Sequence, residues 1–382
     1  MERVGIPTRP MYFLRTVRNE GNGLASVLPG LGRRNSLVHF PGSLLSATME
    51  PNDAILCPLS TYDDNSMQIR LGTRQSQLAL WQANHVSSLL EREGHSVELV
   101  KITTSGDVST TPLGASGGIG VFTKEIQRAL LDKTCDLAVH SLKDLPTEPV
   151  PGLVLASVPD REDAADAFLS VNYSSLLDLP EGAKIGTGSP RRKAQLLRLR
   201  PDLEVMDIRG NVDTRIRKLD AGEYDAIILA CAGLHRLQLS ERVTHRFSFD
   251  EMLPAVGQAA LGLETREEDE ELRNALMKLD HSLTHLAVVI ERTLLRAMRA
   301  GCLAPLAAHA VFDGETVRLT ARVFSMDYSE MIEQYWSWPA TRATNVDQAA
   351  QLGTEAARDL CELGADKLIH GEEESEDNSD ES

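Results

Sequence analysis

From residue 67 onward the apolar positions alternate between two periods. Short apolar runs that read as strands fall at 68–72, 97–103 and 136–141, and again at 184–187, 204–208 and 225–230. Between them, apolar residues recur at helical spacing. Leu78, Trp81, Val86, Leu89 and Leu90 share one face of a helix that Ser76 can cap and Gly94 can stop, and Phe122, Ile126 and Leu130 follow at a spacing of four. In the second set, helices are predicted from Ser189 and over 211–219. Strands alternating with amphipathic helices predict two similar, doubly wound α/β domains with parallel sheets. A third pattern, with a helix over 282–300, an alternating strand over 317–323 and a helix over 347–363, predicts a smaller α+β domain.

Length and charge refine this division. The 382 residues suit two or three domains, and 42 % apolar content allows them a core. We assign 1–66 to a leader that is disordered or cleaved, 67–160 plus 260–278 to the first α/β domain, and 163–254 to the second. Residues 282–368 form the third domain, and 369–382 an acidic disordered tail. The net charge of −17 is unevenly spread: residues 1–66 are neutral and 371–382 carry −7, which leaves −10 for the body. Such a balance argues against a nucleic-acid or anionic-membrane partner. No apolar run approaches the roughly 18 residues of a membrane span. Cys57, Cys135, Cys231, Cys302 and Cys361 are scattered and odd in number, so a reducing, cytoplasmic setting is expected. The first 48 residues contain Arg without Lys and few acids, which leaves a plastid or mitochondrial transit peptide as the alternative.

Within this acidic body, several arginines sit at strand-to-helix corners. Arg191 and Arg192 follow Ser189 and Pro190 in the first turn of a predicted helix, where the macrodipole disfavours each cation by about 0.3–1 kcal/mol. A bound anion would reverse that sign; a solvated surface pair is the plainer reading. Arg209 with Arg215, and Arg74, occupy comparable corners, where open α/β sheets bind ligands. Lys143 and Asp144 end the strand at 136–141, either as a surface ion pair or as a carboxylate set among cations. Cys302 follows the long helix between small residues, as a buried hydrophobe or as an accessible thiol. The histidines show no metal spacing and Gly117, Gly118 and Gly120 form no nucleotide loop, so no metal site is expected.

Taken together, these words resemble the porphobilinogen deaminase family over about 67–364. The matching segments are Leu71-Gly72-Thr73-Arg74-Gln75-Ser76 with Leu78-Ala79-Leu80-Trp81-Gln82, then His140-Ser141-Leu142-Lys143-Asp144-Leu145-Pro146 and Ser189-Pro190-Arg191-Arg192. Ile208-Arg209-Gly210-Asn211, Leu253-Pro254-Ala255-Val256-Gly257-Gln258 and Gly301-Cys302 complete them. The resemblance implies a periplasmic-binding-protein-like pair of lobes. It implies a transferase that joins four porphobilinogen molecules head to tail, loses ammonia and releases hydroxymethylbilane for haem- or chlorophyll-type tetrapyrrole biosynthesis. It implies a dipyrromethane cofactor held by a thioether to Cys302 and a catalytic Asp144 that stabilises an azafulvene cation. Arg74, Lys143, Arg191, Arg192, Arg209 and Arg215, with Ser76, Thr187 and Ser189, would then bind pyrrole carboxylates, and Lys124, Gln82 and Gln258 are further candidates. A monomer handing its product to the next enzyme is expected.

The sequence departs from the family pattern in places. Ile119 stands where Lys is usual in the mobile loop, although Lys124 is kept. Ala300, Ala304 and Ala259 replace Gly, Val and Gly, and Pro190 stands where another apolar residue is common. Two lobes around a cleft also serve proteins that bind anions without chemistry, a reading that leaves Cys302 and Asp144 unused, and an inactive paralogue would keep the cofactor without turnover.

Overall fold

A computed structural model of the protein describes residues 15–19, 66–104, 123–301 and 304–371. Strand β1 (Arg15–Asn19) belongs to the third sheet. The first sheet holds β2 (Gln68–Thr73), β3 (Ser96–Lys101), β4 (Leu137–Ser141), β5 (Leu153–Ser157) and β11 (Leu261–Arg266) in the order β3-β2-β4-β11-β5. The second holds β6 (Asp166–Leu169), β7 (Lys184–Gly186), β8 (Glu204–Met206), β9 (Ala226–Ala230) and β10 (His245–Arg246) in the order β10-β6-β9-β7-β8. The two orders superimpose: a parallel trio, then two antiparallel strands. The sheets are therefore mixed, where alternating patterning predicts parallel ones. The reason is that β11 returns from the second lobe to complete the first sheet, and a returning strand enters antiparallel without a crossover helix.

Helices cover both faces of each sheet. In the first lobe, Ala83, Val86 and Leu90 of α1 (Gln77–Arg92) and Leu272 and Leu276 of α6 (Glu270–Met277) pack on one face. Ile126 and Leu130 of α2 (Lys124–Leu131) pack on the other; Phe122 lies outside the described residues. In the second lobe, β9 shows period-two packing. Ala226 and Ile228 meet Leu196 of α3 (Pro190–Leu199), while Ile227 and Leu229 meet Ile216 and Leu219 of α4 (Val212–Asp220) and Leu234 of α5 (Cys231–Arg236).

The third unit is an antiparallel sheet of β12 (Leu306–Asp313), β13 (Thr316–Phe324) and β14 (Met331–Pro339), backed by α7 (Ser282–Ala297) and α8 (Val346–Glu362). The two helices cross at Gly353, where a Cβ would lie 2.5 Å from the Ile290 carbonyl oxygen. Helix α7 stops three residues short of the expected 300, because Arg299 turns the chain into the left-handed region with φ 48°. A last helix, α9 (Ala365–His370), carries order two residues past the expected start of the tail, since Leu368 and Ile369 pack on the third core. Within the expected leader, the backbone of β1 runs parallel to β14, whose open edge offers it unpaired backbone groups.

Two chain segments join the α/β lobes, and a buried carboxylate ties them to the third unit. Glu291 of α7 accepts from Arg161 Nη1 at 2.7 Å, Gly257 N at 2.7 Å and Ala310 N at 2.8 Å. A fully buried acid is tolerated only with such partners.

Candidate functional site

A cleft of about 840 Å³ opens between the α/β lobes, closed at one end by the third unit. Carboxyl ends of the parallel strands supply its walls: Arg74 after β2, Ser141 to Asp144 after β4, Gly188 to Arg192 after β7, and Ile208 to Arg215 after β8. Eight cations line it, namely Arg74, Lys143, Arg191, Arg192, Arg209, Arg215, Arg236 and Arg299, against the carboxylates of Asp144 and Asp213. Such an excess, focused by low-dielectric walls, selects a polyanionic ligand of modest size.

In the first lobe the strand β4 gives way to a single 3₁₀ turn, Leu142–Asp144, held by Leu142 N donating to Ala260 O at 3.0 Å. The turn exposes Asp144 to the cleft, and no ion-pair partner reaches it among the described residues. The surface ion pair with Lys143 is therefore not formed. Lys143 instead donates to Gln258 Oε1 at 3.2 Å, and burial together with the nearby Arg192 pushes its amine down to about 8. Gln82 reaches the same turn, its Nε2 donating to Ser141 Oγ at 2.9 Å.

In the second lobe the arginine pair is not a solvated surface pair. Arg191 and Arg192 are 4 % and 6 % exposed. Asp166, fully buried at the start of β6, takes Arg192 Nε and Nη2 on Oδ1 at 3.1 and 2.7 Å, and Arg191 Nη1 lies 2.8 Å from Oδ2. Burial would raise the Asp166 carboxyl, but the two guanidiniums outweigh it and hold the carboxyl well below the usual carboxylate range. Thus the unfavourable first-turn cations have an internal counter-ion, which the sequence reading missed. Its signal was an acid inside the apolar run Ala164-Ala165-Asp166-Ala167-Phe168. Gln258 joins the lobes, donating from Nε2 to Asp166 Oδ1 at 2.9 Å while its Oε1 accepts from Lys143. Arg191, Arg192 and Gln258 still line the cleft.

Arg209 pairs with Asp207 at 2.8 Å, and Arg215 Nε donates to Gly210 O at 2.7 Å. Burial, then repulsion from Arg192 and Arg209, lowers Arg215 to about 10. Ser76 and Ser189 cap α1 and α3, each hydroxyl accepting a backbone N–H. Their own protons stay available to a ligand oxygen. Gly188 keeps this corner open, since a Cβ there would sit 2.7 Å from Asp207 Oδ1.

Not every expected site residue converges here. Thr187 is buried outside the cleft lining, its Oγ1 accepting from Ser189 N at 3.2 Å. Lys124 is exposed at the start of α2 and is not among the lining residues. Cys302 and Ile119 lie outside the described residues, though Gly301 and Ala304 on either side of Cys302 line the cleft. Arg236 was not anticipated. It lies on α5, donates to Ala259 O at 2.7 Å and stacks 5.7 Å over Trp81 of α1, so it fastens the lobes at the cleft mouth. No cluster of potential metal ligands occurs among the described residues.

The profile described as porphobilinogen deaminase, dipyromethane cofactor binding domain, matches residues 69–274, and that of the porphobilinogen deaminase C-terminal domain matches 285–362. A porphobilinogen deaminase of Syntrophotalea carbinolica is 46 % identical over 308 residues, covering 80 % of this chain and 96 % of that protein. Among solved structures, a methionine-binding lipoprotein of Bacillus subtilis, described as putative, covers 56 % of this chain and 89 % of its own at 17 % identity, TM-score 0.37. A periplasmic substrate-binding protein of Coxiella burnetii covers 55 % and 91 % at 17 % identity, TM-score 0.38. With both of its family domains matched in order and a relative at this identity, the chain belongs to the porphobilinogen deaminase family.

Proposed function

We propose that the protein is a hydroxymethylbilane synthase. It joins four porphobilinogen molecules head to tail, losing one ammonia per bond, on a dipyrromethane cofactor attached through a thioether to Cys302, and releases the linear tetrapyrrole. The observation that carries this reading is the cleft itself: eight cationic side chains against two carboxylates, with Asp144 exposed among the cations. Each pyrrole bears an acetate and a propionate, so the cation surplus suits a ligand whose charge grows with its length.

The donor set fits the cofactor. Arg74, Arg191, Arg192, Arg209, Arg215 and Lys143 would hold its carboxylates, with Ser76 and Ser189 donating hydroxyl protons. Burial raises the thiols of Cys135 to about 11 and Cys231 to about 12, and raises that of Cys361; none of the three lines the cleft. The attachment point that the family resemblance implies is Cys302, which stands in sequence between the lining residues Gly301 and Ala304. When bound, the cofactor supplies the terminal pyrrole on which the chain grows.

Asp144 then has two tasks. Its carboxylate accepts pyrrole N–H groups and stabilises the positive charge that develops on the incoming ring as the C–N bond to ammonia breaks. As the new C–C bond forms, the attacked pyrrole carbon must lose a proton, and Asp144 is placed to move it. We read the enzyme as a monomer of the cytoplasm that passes its product on. No described helix is long and apolar enough to cross a membrane.

Intact-mass analysis of protein purified from porphobilinogen-making cells tests the reading. The expected mass exceeds that of the chain by two pyrrole units, localised to Cys302, and added porphobilinogen releases ammonia. A folded, unmodified chain that releases none overturns it. N-terminal sequencing of the native protein separates a cytoplasmic enzyme from an imported one.

A further inference from the structure

A second cavity, of about 250 Å³, lies between the catalytic turn and the end of α7. Lys143, Arg299 and Gly301 line both it and the main cleft, so the two spaces adjoin at the turn that carries Asp144. Its charge is one-sided, with Lys143, Arg292, Arg296 and Arg299 facing Glu148. Arg292 is engaged in the wall, donating to Leu145 O at 2.8 Å and Pro146 O at 2.7 Å. Arg296 and Arg299 are exposed, and neither side chain has a hydrogen bond or ion pair among the described residues.

Helix physics accounts for only part of this. A cation in the last turn, such as Arg296, is favoured by the macrodipole. Arg299 lies beyond the helix with φ 48°, a region unfavourable to an L residue. Neither effect explains why these like charges stand over an apolar floor of Leu142, Val256 and Leu295.

The main cleft supplies the need. Its volume of about 840 Å³ lies within the roughly 300–1,000 Å³ that encloses one drug-sized ligand. A chain made of the two cofactor rings and four added units, with two carboxylates on each ring, exceeds such a ligand and must extend beyond the cleft. We propose that the second cavity is an overflow subsite for the extended chain. One carboxylate-bearing pyrrole lies on Leu142 and Leu295, with its carboxylates on Arg296 and Arg299. The inference rests on the chain-building function proposed above.

The test is the distribution of enzyme-bound species by intact mass after limiting porphobilinogen, in the parent and in the double variant Arg296→Gln/Arg299→Gln. Both residues are exposed, so folding should be retained. The ratio of enzyme carrying three or four added units to enzyme carrying one should fall about tenfold, the effect of losing roughly one charge-assisted hydrogen bond. Because Arg299 also lines the main cleft, the single variant Arg296→Gln, at a residue that lines only the second cavity, is the one expected to keep the two-unit cofactor mass while lowering the ratio. Arg299→Gly removes the guanidinium while keeping a residue at ease with positive φ, and it should lower the ratio too, whereas Arg296→Lys should restore most of it. A parent-like ratio in the double variant and in Arg299→Gly overturns the subsite and leaves the function standing. A parent that gains no pyrrole units overturns both.

Discussion

The two α/β lobes share one strand order but treat their charged corners in opposite ways. In the first, the turn after β4 presents Asp144 to the cleft without an ion-pair partner among the described residues, beside an amine whose protonation burial has weakened. In the second, Arg191 and Arg192 are buried and locked onto Asp166. Three charges there sum to one positive charge rather than two. The same scaffold thus builds a reactive corner, whose exposed carboxylate feels the nearby Lys143 and Arg215 charges without being locked to either, and a rigid corner, whose forks are fixed before any ligand arrives. Fixing them in advance lowers the entropy that carboxylate binding must overcome.

Two carboxylate-to-amide substitutions should separate these roles. Asp144→Asn should lower turnover by about 10²–10⁴-fold, the range for a positioned acid–base group, while shifting stability by no more than about 0.5 kcal/mol. Ammonia release and a urea titration measure the two quantities, and parent-like turnover would remove Asp144 from the mechanism. Asp166→Asn should do the reverse first. It leaves two buried guanidiniums without their counter-ion, a loss of about 3–5 kcal/mol. Because the folded carboxyl is held below its unfolded value, its contribution is complete above the ordinary aspartate range and fades as pH falls through the folded value. The stability gap between parent and Asp166→Asn should therefore narrow in acid; a gap independent of pH would break the contrast between the lobes.

The reactive corner was more legible in the sequence than the rigid one. Strand ends and helix caps are local events, so Ser76, Ser189 and the corner arginines could be placed from spacing alone. Asp166 and Gln258 act through contacts 26 and 92 residues away in sequence, and no local period records such a partner. Strand β11 is not predicted for a related reason: it owes its place to a chain that leaves the first lobe and returns. Arg236 escaped because α5 is too short for a helical period to register.

Lys143 offers a finer test, since it belongs to the reactive corner but hydrogen-bonds into the bridge. With its amine lowered to about 8, it is charged and able to hold a carboxylate below that pH and loses the charge above it. KM for porphobilinogen should rise from pH 8 to pH 9 by up to about tenfold, the most a single deprotonation allows per pH unit. Lys143→Arg keeps its charge throughout this range, so its KM should stay flat. A rise of equal size in both proteins would assign the titration to another group. In the parent, the same depressed value means that the unfolded chain binds more protons between pH 8 and the ordinary lysine range, so stability contributed by this residue increases with pH there.

The smallest effect concerns the segment that joins the lobes. Ala259 lies in the turn before β11 with φ 72°, and its carbonyl accepts from Arg236. Glycine at this position would relieve about 1–2 kcal/mol of left-handed strain. It would also lose a methyl packed near Ala164 and Ala232, worth about 0.8 kcal/mol, and add about 0.5–1 kcal/mol of unfolded-state freedom. These terms nearly cancel, so Ala259→Gly should move the urea midpoint by less than about 1 kcal/mol equivalent. Its consequence should be local: faster amide exchange over 257–261 with unchanged exchange in β4 and β9. Were exchange to quicken in β4 or β9 as well, Ala259 would be a core residue of the lobes rather than a restraint on the joint between them.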